Sequence, residues 1–237
     1  MAEGSLPLGL LAIAETLRIT AGTLEDAALG RLTREACDRR LTDWSGRLVR
    51  AADIHFAVQG RERVELGGEA FVVMSNHQSN FDIPVLYHVF PASMRMVAKT
   101  ELFRIPAFGR AMRAAEFIEV DRRDKARARH SIELAKERLR SGVNVWIAPE
   151  GTRSEDGQLG PFKKGGFILA LDTGARILPI SIDGTRFVLP KHSARVSKGK
   201  HVRVQLHAPI DPAEYGPARR DELVARVREV IGSGLTR

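Results

Sequence analysis

His77 and Asp82 stand five residues apart, directly after the apolar run Phe71 to Met74, and their types could support proton transfer. Imidazole is the side chain whose ordinary pKa lies nearest neutrality. A carboxylate on its second nitrogen fixes the tautomer and stabilises the cation formed when the ring takes a proton. Such a pair suits deprotonation of an alcohol. The spacing is not the i,i+4 spacing of a helix face, so the two side chains meet only if the segment between them turns. Asn76, Ser79 and Asn80 favour that turn, and Asp82 with Pro84 is typical of a first helical turn. The local reading is strand, polar turn, helix.

The elements that must position this pair follow from apolar patterning. Runs at Phe71 to Met74, Met94 to Ala98, Phe117 to Val120, Val143 to Ala148, Ile177 to Ile182 and Val202 to Leu206 read as strands. Asp82 to Phe90, Thr100 to Met112, Lys125 to Arg140 and Lys164 to Thr173 read as helices between them, and a last helix spans roughly Pro212 to Ile231. Strands alternating with helices imply an α/β sheet. Gly60 and Gly67-Gly68 punctuate the entry to this region, and Pro179 is expected to shape a strand edge. Residues 1–52 read as an amphipathic helical segment and 53–237 as one domain. Leu41, Trp44 and Leu48 recur at helical spacing beside arginines at 31, 34, 39, 40, 47 and 50. That helix either lies in a headgroup layer anchored by Trp44, or packs its apolar stripe on the domain and leaves its arginines in water.

With 237 residues, 43% apolar and 28% charged, the chain is globular in composition. Thirty-seven basic against 29 acidic residues give +8, which favours membranes, nucleic acids or phosphorylated ligands without choosing among them. Cys37 is the sole cysteine, which excludes an intrachain disulfide and a cysteine-based zinc site. The early apolar run Leu6 to Ala14 falls short of the roughly 20 residues of a membrane span, and no basic segment precedes it as in a secretory signal. The remaining histidines, at 55, 88, 130, 192, 201 and 207, lack metal-ligand spacing and read as structural or surface residues. No Gly-x-Ser-x-Gly elbow occurs, so a serine-hydrolase nucleophile is not expected.

A second block, Ile147-Ala148-Pro149-Glu150-Gly151-Thr152-Arg153-Ser154, is followed by Pro161-Phe162-Lys163-Lys164-Gly165-Gly166. Together the two blocks resemble the glycerolipid acyltransferase family that includes 1-acylglycerol-3-phosphate (lysophosphatidic acid) acyltransferases. Asn76 to Asp82 matches the family's NHxxxxD box, Pro149 to Ser154 its PEGTRS box, and Ile177-Leu178-Pro179-Ile180 its late proline strand. A further block is degenerate. Val120-Asp121-Arg122 fits, but Glu116 stands where the family usually has glycine, Glu119 where it has an apolar or aromatic residue, and Ala148 replaces a common phenylalanine. Carboxylates at 116 and 119 would repel a phosphate unless they point away from it.

The resemblance implies an α/β fold, a single mixed-sheet acyltransferase domain flanked by helices and preceded by the helical segment. It implies transfer of a fatty acyl group from an acyl thioester, acyl-CoA or acyl-carrier protein, to the hydroxyl of 1-acylglycerol 3-phosphate, giving phosphatidic acid. His77 would be the base and Asp82 its orienter, with no cofactor and no metal. For the acceptor phosphate, Gly151 permits a tight turn whose amides can face an anion, Thr152 adds a hydroxyl and Arg153 offers a bidentate fork. Lys99 and Arg122 are expected near the same phosphate, and Glu150 is expected to hold Arg153 or an acceptor hydroxyl. Lys163 and Lys164 either meet the donor's phosphates or are solvated. The expected partners are a lysophospholipid, the acyl donor and an anionic membrane surface, with peripheral attachment on the cytoplasmic face. Glycerol 3-phosphate or a lyso-aminolipid is the alternative acceptor. A non-catalytic binder of anionic lipid or nucleic acid would leave the ordered boxes unexplained.

Overall fold

Seven strands form one mixed sheet in the order β1-β7-β6-β2-β5-β3-β4, in a computed structural model that describes residues 4–64, 68–90, 92–121 and 125–236. The strands are β1 (His55–Gln59), β2 (Val72–Ser75), β3 (Met94–Lys99), β4 (Ile118–Val120), β5 (Asn144–Ile147), β6 (Ile177–Asp183) and β7 (His201–Leu206). Every neighbouring pair is parallel except β6 with β7. β2 lies between β6 and β5, and its side chains are buried on both faces, as the unbroken apolar run Val72-Val73-Met74 requires.

Helices cover both faces. They are α1 (Leu6–Ala28), α2 (Arg34–Ala51), α3 (Asp82–Val89), α4 (Thr100–Phe103), α5 (Phe108–Ala114), α6 (Lys125–Arg140), α7 (Gly165–Thr173), α8 (Thr185–Val188) and α9 (Arg220–Ser233). Val73 belongs to a core shared with Leu48 of α2, Leu86 of α3 and Met112 of α5. Val72 and Met74 point the other way, into a core with Leu139 of α6, Leu169 of α7 and Val227 of α9. The period-2 alternation of the strand thus assigns one residue set to each layer.

Several expectations are corrected. β1 lies outside the runs that read as strands: its apolar stretch, Phe56-Ala57-Val58, is short and sits on a largely exposed edge. The helix expected over 100–112 is two, α4 and α5, since Pro106 cannot continue the hydrogen-bond ladder and Ala107 adopts φ 62°. The last helix is shorter than expected: two 3₁₀ turns, Pro212–Glu214 and Pro217–Arg219, precede α9. Pro179 lies inside β6 rather than at a strand edge, buried between β2 and β7. Its carbonyl accepts from His207 N–H at 3.0 Å just past the last β7 residue, so its missing N–H falls where the β6–β7 ladder has ended.

The helical segment packs on the sheet domain. Trp44 is only 9% exposed, and its Nε1–H donates to Thr16 Oγ1 at 3.2 Å, so it is not a headgroup anchor. Leu41 and Leu48 are buried with it, because the apolar stripe of α2 faces α3 and the sheet. The fully buried Arg95 of β3 reinforces the joint by bonding Asp38 of α2 at 2.6 Å and the Ala115 carbonyl at 2.6 Å. Helix α1 instead leaves Leu10, Ile13 and Leu17 exposed by 58%, 56% and 60%, on one stripe.

Asp183 closes β6 and ties the chain's end to it. It accepts from Arg186 at 3.1 Å, Arg203 at 2.9 Å and the Thr236 amide at 3.2 Å, and from the Thr236 hydroxyl. Burial pushes this carboxyl up, but the bonds from Thr236 and Arg203 outweigh it and hold it at about 2. A depressed carboxylate contributes stability that is present above its unfolded value and is lost as pH falls through the folded value. Asp183→Asn is expected to cost about 2 kcal/mol at neutral pH. In denaturant titrations the difference from the parent protein should shrink between pH 4 and pH 2.

Candidate active site

β2 ends at Ser75, and the chain turns sharply before α3, which brings His77 Nδ1 to 2.7 Å from Asp82 Oδ2. Asp82 is 0% exposed. The same oxygen accepts from the Gln78 amide at 2.7 Å and the Ser79 amide at 3.0 Å, so the carboxylate organises the turn that carries its own histidine. Oδ1 accepts from the Thr185 hydroxyl at the start of α8. With Nδ1 committed, Nε2 is the ring nitrogen free to exchange a proton, and among the described residues it has no partner. The Trp146 and His77 rings stand perpendicular, with centroids 6.3 Å apart.

Three loops at the carboxyl ends of neighbouring strands β6, β2 and β5 meet here, the edge at which parallel sheets carry their sites. Asn76 extends the pairing of β2 with β6, donating to the Ile182 carbonyl at 2.7 Å and accepting from the Ile182 amide at 2.8 Å. From the β5 side, Glu150 Oε1 accepts from the His77 amide at 2.9 Å and Oε2 from the Gly160 amide at 2.9 Å. The Ser154 amide donates to the His77 carbonyl at 2.7 Å. His77 is therefore held through its main chain by the second block and through its ring by Asp82.

Glu150 thus serves the backbone: each of its oxygens accepts one main-chain amide, and among the described residues it makes no bond to Arg153. Burial pushes its carboxyl up, opposed by the Gly160 and His77 amides. Gly151 does form a tight turn, at φ 70°, but its own N–H donates to the Ala148 carbonyl at 3.0 Å and does not face an anion. Thr152 is exposed, and Arg153 is half-buried with no ion pair among the described residues. Lys99 is exposed at the carboxyl end of β3, and Arg122 lies outside the described residues. Lys164 pairs with Asp221 at 2.7 Å, and Lys163 donates its amide to the Pro149 carbonyl at 2.8 Å.

The two unexpected glutamates are neutralised. Glu116 accepts from Arg34 of α2 at 2.9 and 3.1 Å, and this pairing holds its carboxyl below the usual range. It sits at φ 67°, which accounts physically for a position that favours glycine. Glu119 accepts from Arg113 at 2.7 Å. Among the described residues no group of three His, Cys, Asp or Glu side chains is placed to hold a metal ion.

An apolar cavity of about 260 Å³ separates the helical segment from the sheet domain, lined by Ile19, Trp44, Tyr87, Met96, Met112 and Phe117. Asn80 and Ile83 also line it, so it reaches the turn that carries His77 and Asp82. Sequence reasoning did not find Thr185. A threonine after a glycine carries no chemical signature, and only the fold brings it to Asp82 across 103 residues.

A buried carboxylate bonded to a histidine thus stands at the carboxyl edge of an α/β sheet, beside a largely apolar cavity. The chain belongs to the acyltransferase family, whose model matches residues 55–183. It is 37% identical over 153 residues to a chloroplast 1-acyl-sn-glycerol-3-phosphate acyltransferase of Arabidopsis thaliana, covering 65% of this chain and 43% of that protein. It is 30% identical over 161 residues to the 1-acyl-sn-glycerol-3-phosphate acyltransferase of Salmonella typhimurium, covering 68% and 64%. The crystal structure of the 1-acyl-sn-glycerophosphate (LPA) acyltransferase from Thermotoga maritima superposes with a TM-score of 0.74 at 29% identity, covering 94% of this chain and 95% of that one. The chain spans about half the length of the plant relatives it matches.

Glu150→Gln replaces one acceptor oxygen by an NH₂ that faces a backbone N–H. This is expected to destabilise the fold by about 1–3 kcal/mol and to lower turnover through displacement of the His77 main chain. Thermal unfolding and steady-state kinetics on one preparation measure both effects.

Proposed function

We propose that this protein is an O-acyltransferase that moves a fatty acyl group from a thioester, of coenzyme A or acyl carrier protein, to the hydroxyl of 1-acylglycerol 3-phosphate. The observation that carries the reading is the His77–Asp82 pair with Nε2 unengaged. The names of its relatives support the choice of acceptor. His77 Nε2 takes the hydroxyl proton as the oxygen attacks the thioester carbonyl. The tetrahedral intermediate then collapses, the C–S bond breaks, and the imidazolium returns the proton to the departing sulfur. Asp82 holds the ring and balances the imidazolium charge. No acyl-enzyme is formed.

Arg153 is the side chain proposed for the acceptor phosphate. The Ser154 amide is bonded to the His77 carbonyl, so the adjoining Arg153 is close to the base, and its guanidinium has no competing carboxylate among the described residues. Lys99, Arg122 and Thr152 are proposed as secondary contacts to the same phosphate. The cavity behind Asn80 and Ile83 is proposed to take a fatty chain, since most of its lining is apolar.

The substrate's place in a bilayer favours a peripheral protein. Among the described residues no helix is long and apolar enough to cross a membrane, whereas α1 exposes Leu6, Leu10, Ile13 and Leu17 on one stripe. That stripe, with the chain's charge of +8, is proposed to rest in an anionic headgroup layer, on the cytoplasmic face.

Incubation with labelled lysophosphatidic acid and either thioester should yield phosphatidic acid. His77→Ala should reduce transfer by about 10²–10⁴-fold, and near-parental turnover would refute the base assignment. Arg153→Ala should raise KM for lysophosphatidic acid, and unchanged kinetics would remove it from the phosphate site. Replacing Leu10, Ile13 and Leu17 together by Glu should lower the fraction sedimenting with anionic vesicles without changing the melting temperature. An unchanged fraction would reject α1 as the docking face.

A further inference from the structure

We infer that Thr185 is a positioning residue for the transfer reaction, acting through Asp82; the inference rests on His77 being the base. The turn 77–82 supplies donors to only one oxygen of the carboxylate. Oδ2 receives the His77 ring, the Gln78 amide and the Ser79 amide, whereas Oδ1, among the described residues, receives the Thr185 hydroxyl and no donor from the turn itself. A carboxylate gripped at one oxygen can still rock about its Cβ–Cγ bond, and that motion swings the imidazole it carries. Pinning the second oxygen fixes the carboxylate plane, and with it the direction of Nε2. It also satisfies an acceptor that has no access to water, since Asp82 and Thr185 are both fully buried.

Thr185 is itself held rigidly enough for this task. It opens α8 directly after Gly184, which adopts φ 103° and packs so closely on β7 that an added Cβ would lie 2.3 Å from the His201 carbonyl oxygen. Only glycine fits there, so the entry into α8 has little freedom. The Gly184 amide donates to Gln78 Oε1 at 3.2 Å. At the far end of the segment, the Ser79 hydroxyl donates to the Leu189 carbonyl at 2.7 Å. The segment 184–189 is thus clamped, on both sides of Thr185, to the two residues that follow His77. The hydroxyl does not merely fill space: a valine has the same shape and could occupy the site, but it would leave Oδ1 without a donor.

The test uses the whole chain, with lysophosphatidic acid and acyl-CoA or acyl-carrier protein, comparing Thr185→Val, Thr185→Ser and Thr185→Ala, with His77→Ala alongside. Thr185→Val should lower kcat by about ten- to hundredfold, the rate equivalent of losing one hydrogen bond to a charged group, while KM for both substrates stays within about twofold. Thr185→Ser, which keeps the hydroxyl, should recover most of the rate. The low-field proton NMR signal of the His77 Nδ1 proton should persist in the serine variant and move or vanish in the valine variant. If valine impairs folding, serine and alanine, which differ by one oxygen, carry the comparison. Equal kcat in that pair, or parental kcat with an unmoved signal in Thr185→Val, overturns the inference. Parental turnover in His77→Ala would instead overturn the assignment of the base, a separate failure read from a separate variant.

Discussion

The carboxylate of Asp82 is the constraint around which the site is arranged. A buried carboxylate is tolerated only when hydrogen-bond donors replace the water it has lost, at a cost of several kcal/mol if they are missing. Here the donors are two amides of its own turn, the imidazole of His77 and the hydroxyl of Thr185. The turn amides can reach it only if the chain reverses between β2 and α3, so satisfying the charge also sets the histidine's position. The same bonds that make the burial tolerable therefore also orient the imidazole.

Glu150 repeats the device from the other side of β2. Its two oxygens gather the His77 and Gly160 amides, which fastens the loop after β5 to the loop after β2. Asn76 fastens β6 in turn through paired bonds to the Ile182 main chain. Three loops that diverge in sequence are consequently one rigid body around an imidazole whose outer nitrogen stays open. Rigidity of this kind would serve the proposed acyl transfer, in which the base must meet a hydroxyl in a narrow range of directions while a carbonyl carbon is within reach.

The apolar half of the molecule follows a different logic. Helix α2 spends its stripe on the sheet domain, with Trp44 bonded to α1 and Arg95 bonded to Asp38, so the hairpin is a structural wall. Helix α1 keeps an uncovered stripe outside and lines the cavity inside through Thr16, Ile19, Thr20 and Thr23. Helix α1 thus presents an apolar stripe on one side and a threonine-rich face to the cavity on the other.

The sequence by itself determined the α/β alternation, the two blocks around His77 and Glu150, and the pairing of His77 with Asp82. These are local properties: an apolar run, a polar turn and a helix start constrain the backbone within a few residues. Only the tertiary structure decided the rest. β1 is an exposed edge with only the short apolar stretch Phe56-Ala57-Val58, and Trp44 has the same helical spacing whether it faces lipid or a core. Glu150 reads as a side chain for ligand until Gly160 and His77 occupy both its oxygens, and Glu116 reads as a misplaced charge until Arg34 reaches it from α2. Thr185 reaches Asp82 only because β6 lies beside β2 and runs on past their last pair, Ser75 with Ile180, to Asp183. Long-range pairing sets such contacts, and pairing depends on how whole strands bury their faces, which no local stretch of residues records.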